Sequence, residues 1–174
     1  MANLALIYPV ISSRDFNSIQ TIRKQHDPKY YNVVDPHITL VFGTDKLDED
    51  GLVEHIRNKL NSFKTFKLNF DSTKVVEDDS KEFFHAILVP SDGFVEINQL
   101  HDTLYTDKLE SELRHDIPFI PHIGVGNSKN KDEMEALVKR LKDDRFLATG
   151  VADKITVVTY DGIKVNNYIS IPLS

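Results

Sequence analysis

Two identical tripeptides, Pro36-His37-Ile38 and Pro121-His122-Ile123, stand 122 − 37 = 85 residues apart in a chain of 174. From this composition a Pro-His-Ile is expected only about 0.02 times by chance, so a recurrence at half the chain length points to an ancient duplication. Histidine is the side chain suited to proton transfer near neutral pH, because its unperturbed pKa is about 6.5. Opening a phosphodiester with water takes two such transfers. One group accepts a proton from the attacking water, and another gives a proton to the leaving oxygen. A pair of histidines facing one cleft from two matched strands can do both.

Each histidine opens a short apolar run that reads as a strand. In Pro36 to Phe42, alternation sets Ile38, Leu40 and Phe42 on one face and His37 with Thr39 on the other. Residues two apart on one face lie roughly 6.6–7 Å from each other, a spacing at which an imidazole and a hydroxyl can hold different atoms of one phosphate. Thr39 is therefore the candidate for stabilising charge on a non-bridging oxygen. In the second strand Ile123 and Val125 form the apolar face, and His122 is expected to share its face with Gly124 and Gly126. Glycine there removes bulk and admits a ligand or another backbone.

His37-Ile38-Thr39-Leu40 and His122-Ile123-Gly124-Val125 resemble the paired His-x-Thr/Ser-x motifs of the 2H phosphoesterase superfamily, which includes 2′-5′ RNA ligase-like proteins and cyclic phosphodiesterases. The stretch Arg23-Lys24-Gln25-His26-Asp27-Pro28-Lys29-Tyr30, followed closely by Pro36 to Leu40, is similar to the small bacterial YjcG-type branch. The resemblance implies a bilobal α+β fold of the LigT-like kind, with two antiparallel sheets around a central cleft and the helices outside. It also implies catalysis by His37 and His122 with Thr39, and no required metal or cofactor. The expected substrate is a small 2′,3′-cyclic phosphate or a 2′-5′-linked nucleotide or RNA end, with RNA ligation as the reverse reaction. One position departs from the pattern: Gly124 stands where the family has Thr or Ser, so half of the hydroxyl clamp is missing. Backbone N–H groups near Gly124 or the hydroxyl of Ser128 are candidate substitutes.

The elements that must carry these motifs repeat in order. Leu4 to Val10 reads as a strand, followed by a helix from Ser12 or Ser13 to Gln25, which Asp27-Pro28 breaks. After the first histidine strand come a helix over 48–60 and a strand over 65–76. The second half reads as a strand over 82–90, a helix over 93–109, the second histidine strand over 121–126 and a helix over 131–142. Two last strands, 154–160 and 164–172, are joined at Asp161-Gly162, a strong hairpin signal. No linker rich in Pro, Gly or Ser separates the halves. A single domain of two pseudo-symmetric halves, about 1–80 and 81–174, sharing one core, is expected.

Composition narrows the function. The hydrophobic fraction of 40% and charged fraction of 28% are those of an ordinary globular protein. No apolar run approaches the roughly 20 residues of a membrane helix, and the N-terminus lacks a basic signal-peptide region, so a cytoplasmic location is expected. Without cysteine there is no disulfide, thiol nucleophile or thiolate metal site. The net charge is −6 with scattered basic residues, which argues against gripping a long duplex but leaves room for a small nucleotide or an RNA end in a cleft that is locally neutral or positive.

Tyr8 and Arg23 join Gly124 and Ser128 as candidate substrate-binding residues, Tyr8 for stacking on a base and Arg23 for a phosphate; packing and solvated charge are the simpler readings of both. Lys24 and Arg114 are weaker phosphate candidates. His85 reads as a packed histidine, and His26, His55, His101 and His115 as surface residues. No His-Glu-x-x-His, P-loop or dinucleotide fingerprint occurs, so no metal site is expected. A monomer is expected. Two alternatives remain: a non-catalytic nucleotide- or RNA-end-binding module of the same fold, motivated by Gly124, and a structural or interaction protein in which the repeat is a relic. Binding of cyclic nucleotides separates the last from the others, and turnover separates the first two.

Overall fold

A computed structural model describes all of residues 1–174. Two antiparallel sheets are flanked by four helices. The strands are β1 (Ala2–Ile7), β2 (Val10–Ile11), β3 (Ile38–Thr44), β4 (Phe66–Glu77), β5 (Phe84–Pro90), β6 (Ile123–Ser128), β7 (Ala148–Ala152), β8 (Lys154–Tyr160) and β9 (Val165–Pro172). The helices are α1 (Ser13–His26), α2 (Glu49–Lys59), α3 (Phe94–Leu104) and α4 (Lys131–Asp143). Three helices start as their sequences dictate: Ser12, Asp48 and Asn130 each accept a first-turn backbone N–H, at 3.0, 2.8 and 3.0 Å. No helix is long and apolar enough to cross a membrane.

One sheet has the order β3-β1-β8-β9 and the other β2-β7-β4-β5-β6. Strands from both sides of residue 80 enter each sheet: β8 pairs with β1, and β4 pairs with β5. The helices are exchanged in the same way. α1 packs on β6, and α3 packs on β3. The apolar stripes of all four helices close over the outer faces of the sheets in one cluster that runs from Ile19 and Leu52 to Leu100 and Leu137. α1 and α3 thus each lie on a histidine strand from the other side of residue 80.

The two histidine strands carry the same register. Ile38 stands opposite Ile7 and Thr39 opposite Leu6; Ile123 stands opposite Leu88 and Gly124 opposite Ile87. Immediately afterwards each ladder has a bulge, so that Val41 meets Ala5 and Gly126 meets Ala86. A bulge flips the alternation beyond it, and this corrects two expectations. Phe42 does not join the apolar face with Ile38 and Leu40; it is 50% exposed. Gly126 does not share the face of His122 and Gly124. It is buried under α4, where a Cβ would meet Leu137 Cδ2 at 2.8 Å and Met134 Sδ at 3.1 Å.

Other expectations shift for local reasons. The helix expected over 93–109 stops at Leu104, because Asp107 takes a left-handed φ of 52° and the chain continues as a 3-10 turn over Asp107–Glu112. Strand β7 was not foreseen: Ala148-Thr149-Gly150-Val151-Ala152 is too small and short to show alternation. His55 and His101 are core residues and not surface ones. His55 reaches the carbonyl of Leu104 through Nε2 and His101 that of Leu40 through Nδ1, both at 2.8 Å. A ring nitrogen paired with a backbone carbonyl lets a histidine be buried, and nothing in the local sequence marks it.

Arg23 is a further correction. It is neither solvated nor turned toward a ligand; only 1% of it is exposed. Its Nε donates to Asp27 at 3.0 Å, Nη1 to Gln20 at 2.9 Å, and Nη2 to the carbonyls of Tyr30 and Val34 at 3.0 and 2.8 Å. Asp27 in turn accepts the N–H of Tyr30 at 3.1 Å and the side-chain amide of Asn127 on β6. One buried cation thus ties α1, the turn leading to His37 and the second histidine strand together.

Two stability measurements follow. Arg23→Ala leaves the Asp27 carboxylate buried without its partner and should lower stability by about 3–5 kcal/mol in urea unfolding; a loss under about 1 kcal/mol would show that the network does not hold the turn. Gly126→Ala should cost about 1–3 kcal/mol through overpacking under α4. Gly124→Ala, whose Cβ would meet nothing within 4 Å, should change stability by no more than about 0.5 kcal/mol. Equal losses at the two glycines would refute the bulge assignment.

Candidate active site

His37 and His122 immediately precede β3 and β6, on different sheets, and both are half-buried. The two rings are held by one device. Nδ1 of His37 lies 2.8 Å from the carbonyl of Asp35, and Nδ1 of His122 lies 2.6 Å from the carbonyl of Ile120. A carbonyl can only accept, so Nδ1 carries the proton in each ring, and a neutral imidazole keeps its lone pair on Nε2. In both cases the intervening residue is a buried proline. Its fixed φ and missing N–H set the acceptor carbonyl one peptide before the strand begins.

Burial pushes the His37 pKa down to about 4; the bond to Asp35 opposes this, and the charges of Arg23 and His122 add to it. His122 is lowered as well, first by burial, with the bond to Ile120 opposing and the charge of Lys74 adding. The charge effects on both imidazoles are those of cations. The cation acting at His122 is the exposed Lys74; at His37 it is the buried Arg23, whose charge Asp27 pairs.

Around His37, Tyr8 meets the ring edge-on at 6.3 Å between centroids, and its hydroxyl donates to Asn167 at 3.2 Å. Burial, with help from the Asp35 carboxylate, raises the Tyr8 pKa to about 12, so the phenol stays protonated. Thr39 is half-buried two residues beyond His37, and Leu6 and Thr156 continue its row across the sheet. The equivalent row on the other sheet is Gly124, Ile87 and Lys74. Directly opposed residues share a face, so exposed Lys74 looks the same way as Gly124. Sequence reading missed Lys74; only the ladder register places it there. Gly124 is itself exposed and opens onto free space.

His85 lies near this group. Its Nε2 is 3.9 Å from Asp78 and its ring stacks on Tyr30 at 6.4 Å; burial lowers its pKa, and the charge of His122 acts on it. Ser128 is placed elsewhere. Its hydroxyl donates to Glu133 at 2.5 Å and accepts the N–H of Asn130 at 3.0 Å, which fixes the start of α4 and takes Ser128 out of the candidate binding set. Arg114 is likewise bound to carboxylates, reaching Asp79 at 2.9 Å and Asp116 at 2.7 Å. No three metal-ligating side chains converge.

A cavity of about 470 Å³ adjoins His122. Its walls include Phe42, Tyr105, Ile117 and Phe119, and its charged groups are Glu77, Asp79, Glu112 and Arg114. Three carboxylates against one guanidinium make this side acidic, contrary to the expectation of a cleft that is neutral or positive throughout. The physical reason is local: the turn over Asp78–Phe83 and the 3-10 turn over Asp107–Glu112 both bring acidic residues to this edge.

The sequence profile of the 2′-5′ RNA ligase superfamily matches residues 9–164. A protein of Oceanobacillus iheyensis described as a candidate phosphoesterase is 23% identical over 154 residues, covering 87% of this chain and 85% of its own. Among solved structures, Escherichia coli LigT complexed with 3′-AMP superposes with a TM-score of 0.62 at 13% identity, covering 99% of this chain and 98% of LigT. Kluyveromyces marxianus Usb1 with uridine monophosphate gives 0.54 at 11% identity, covering 98% and 97%. The shared architecture extends over the whole length, and the profile spans both histidine strands. The chain belongs to the 2′-5′ RNA ligase superfamily, the 2H phosphoesterases.

Proposed function

We propose that this chain is a metal-independent phosphodiesterase that opens a small 2′,3′-cyclic phosphate or a 2′-5′-linked nucleotide or RNA end with His37 and His122. The observation that carries the reading is the matched pair of imidazoles, each with Nδ1–H donated to the carbonyl two residues before it and Nε2 left to act on a ligand. One Nε2 takes a proton from water as the water oxygen bonds to phosphorus. The other, protonated, gives its proton to the 2′ or 3′ oxygen as that P–O bond breaks. Thr39 donates to a non-bridging oxygen, and Lys74 supplies positive charge on the side where Gly124 replaces the second hydroxyl. With a 5′-hydroxyl in place of water, the same two transfers join RNA ends: the hydroxyl oxygen bonds to the phosphorus of a 2′,3′-cyclic phosphate, its proton goes to one Nε2, and the other protonates the 3′ oxygen as that P–O bond breaks. Two halves, meeting near residue 80, each contribute one histidine. LigT and Usb1, which share the fold, have been captured with 3′-AMP and uridine monophosphate, and these ligands support a nucleotide substrate.

His37→Ala and His122→Ala should each lower kcat/KM about 10²–10⁴-fold on a 2′,3′-cyclic nucleotide, the usual worth of a positioned acid or base. Activity should survive EDTA. Gly124→Thr restores the family hydroxyl in open space and should raise turnover of a generic cyclic nucleotide. Loss of activity with an intact fold would mean that the gap at Gly124 is occupied by this protein's own substrate. Binding without turnover across cyclic and 2′-5′-linked substrates would favour the non-catalytic module that Gly124 also suggests.

The pH profile has a definite sign. kcat/KM needs one histidine neutral and one protonated in the free protein, and both pKa values lie below 6.5. Activity should therefore rise from about pH 4, where His37 becomes neutral, and decline as the acid partner loses its proton, so that the bell has its maximum below pH 6.5. Histidine titrations followed by NMR should show the same two midpoints. A maximum above pH 7 would contradict the assignment of both imidazoles as neutral at rest.

A further inference from the structure

The cavity beside His122 combines two properties that bear on what the substrate carries besides its scissile phosphate. Part of its apolar wall is exposed. Phe42 is 50% exposed and Ile117 36%, and Phe42 meets Phe119 edge-to-face at 6.4 Å. Phe119 is held in place by His101, stacked on it at 3.7 Å and only 5° from parallel. Exposed aromatic rings around a concavity of this size suit a flat ring of a ligand, and about 470 Å³ is enough for a nucleoside.

Its charged edge has the opposite preference to the histidines. Lys74 acts on His122 from the row that it shares with Gly124. Around the cavity, Glu77 and Glu112 have no ion-pair partner, while the guanidinium of Arg114 is engaged by Asp79 and Asp116. A phosphate placed here would find no available cation and at least two carboxylates.

We propose that this cavity takes the nucleobase of the substrate and that Glu77 and Glu112 exclude any substrate that would place a second phosphate at its edge. The chain would then act on nucleosides whose only phosphate is the one being opened, and on RNA ends only where the rest of the strand leaves by another path. The proposal rests on the phosphodiesterase reading, and it adds the substrate class.

The test compares adenosine 2′,3′-cyclic phosphate with its 5′-phosphorylated form and with glycerol 1,2-cyclic phosphate, which has no base. The 5′-phosphate should lower kcat/KM about tenfold or more at low salt, as expected for several like charges a few ångströms apart, and the effect should shrink with ionic strength. Glu77→Gln with Glu112→Gln should bring the two nucleotides toward parity. Phe42→Ala, at a side chain exposed enough to leave the fold intact, should raise KM several-fold for the nucleotide and leave the glycerol substrate unaffected. Calorimetric binding of adenosine 3′-phosphate and adenosine 3′,5′-bisphosphate provides the same comparison without turnover. Equal handling of the mono- and diphosphorylated ligands, or a Phe42→Ala effect on the glycerol compound as large as on the nucleotide, would overturn the proposal and leave the phosphodiesterase reading standing. Selective binding of the monophosphate with no turnover of any substrate would support the cavity's role and sink the phosphodiesterase reading instead. Absence of both binding and turnover would end both.

Discussion

The hydrogen bond from each imidazole Nδ1 to the carbonyl two residues upstream is the constraint on which the rest of the site depends. It settles the tautomer, since a carbonyl cannot donate, and it settles the direction in which Nε2 points. The bond requires that carbonyl to sit one peptide before the strand, which a proline at the intervening position arranges. It also requires the strand to begin in a fixed register against its neighbour. That register is repeated between β3 and β1 and between β6 and β5, down to the bulge that follows Thr39 and Gly124. The repeated unit is thus a geometric one: proline, histidine, one inward residue, one residue on the histidine's face, then a bulge.

The buried network around Arg23 shows how the two units are kept in relation. A guanidinium in the interior is tolerated only when nearly all of its donors are satisfied. Here they are, by groups on α1 and on the turn before His37, while Asp27 carries the connection on to Asn127 in the second histidine strand. The packing of α1 on β6 and of α3 on β3 works in the same direction. Relative motion of the two histidines would have to break the Asp27–Asn127 hydrogen bond or part α1 from β6.

The histidine pair, Thr39 and the exposed position of Gly124 were legible in the sequence because they follow from a repeated motif and a two-residue alternation. What alternation hides is the bulge. A single extra residue sent Phe42 toward the cavity and Gly126 under α4, and neither displacement leaves a mark on composition or spacing. Arg23 was legible as a charge but not as a buried one, since its partners include two backbone carbonyls in a turn that no periodicity predicts. Lys74 lies on a different strand from either motif, and only the pairing register reveals that it shares a row with Gly124. His55 and His101 look like surface histidines until the carbonyls they satisfy are known. Helix starts, in contrast, were readable nearly to the residue, at Ser12 or Ser13, Asp48 and Lys131, because capping and apolar spacing are local.

The electrostatic division of the cleft follows from the same local sources and gives the low histidine pKa values a purpose. Two imidazoles kept neutral at rest do not repel each other across the cleft, so they can stand close without a counter-ion. An arriving phosphate supplies the missing negative charge and stabilises a proton on one Nε2, which raises that pKa only when the anion is in place. In the proposed reaction the general acid is then created by the substrate that it protonates. In the proposed reaction positive charge from Lys74 attracts the anion to this end, and the carboxylates beyond His122 disfavour its binding at the other. A phosphate held in the aromatic cavity would leave both histidines neutral and nothing to protonate the leaving group, so the acidic edge prevents an unproductive binding mode as well as an unsuitable ligand.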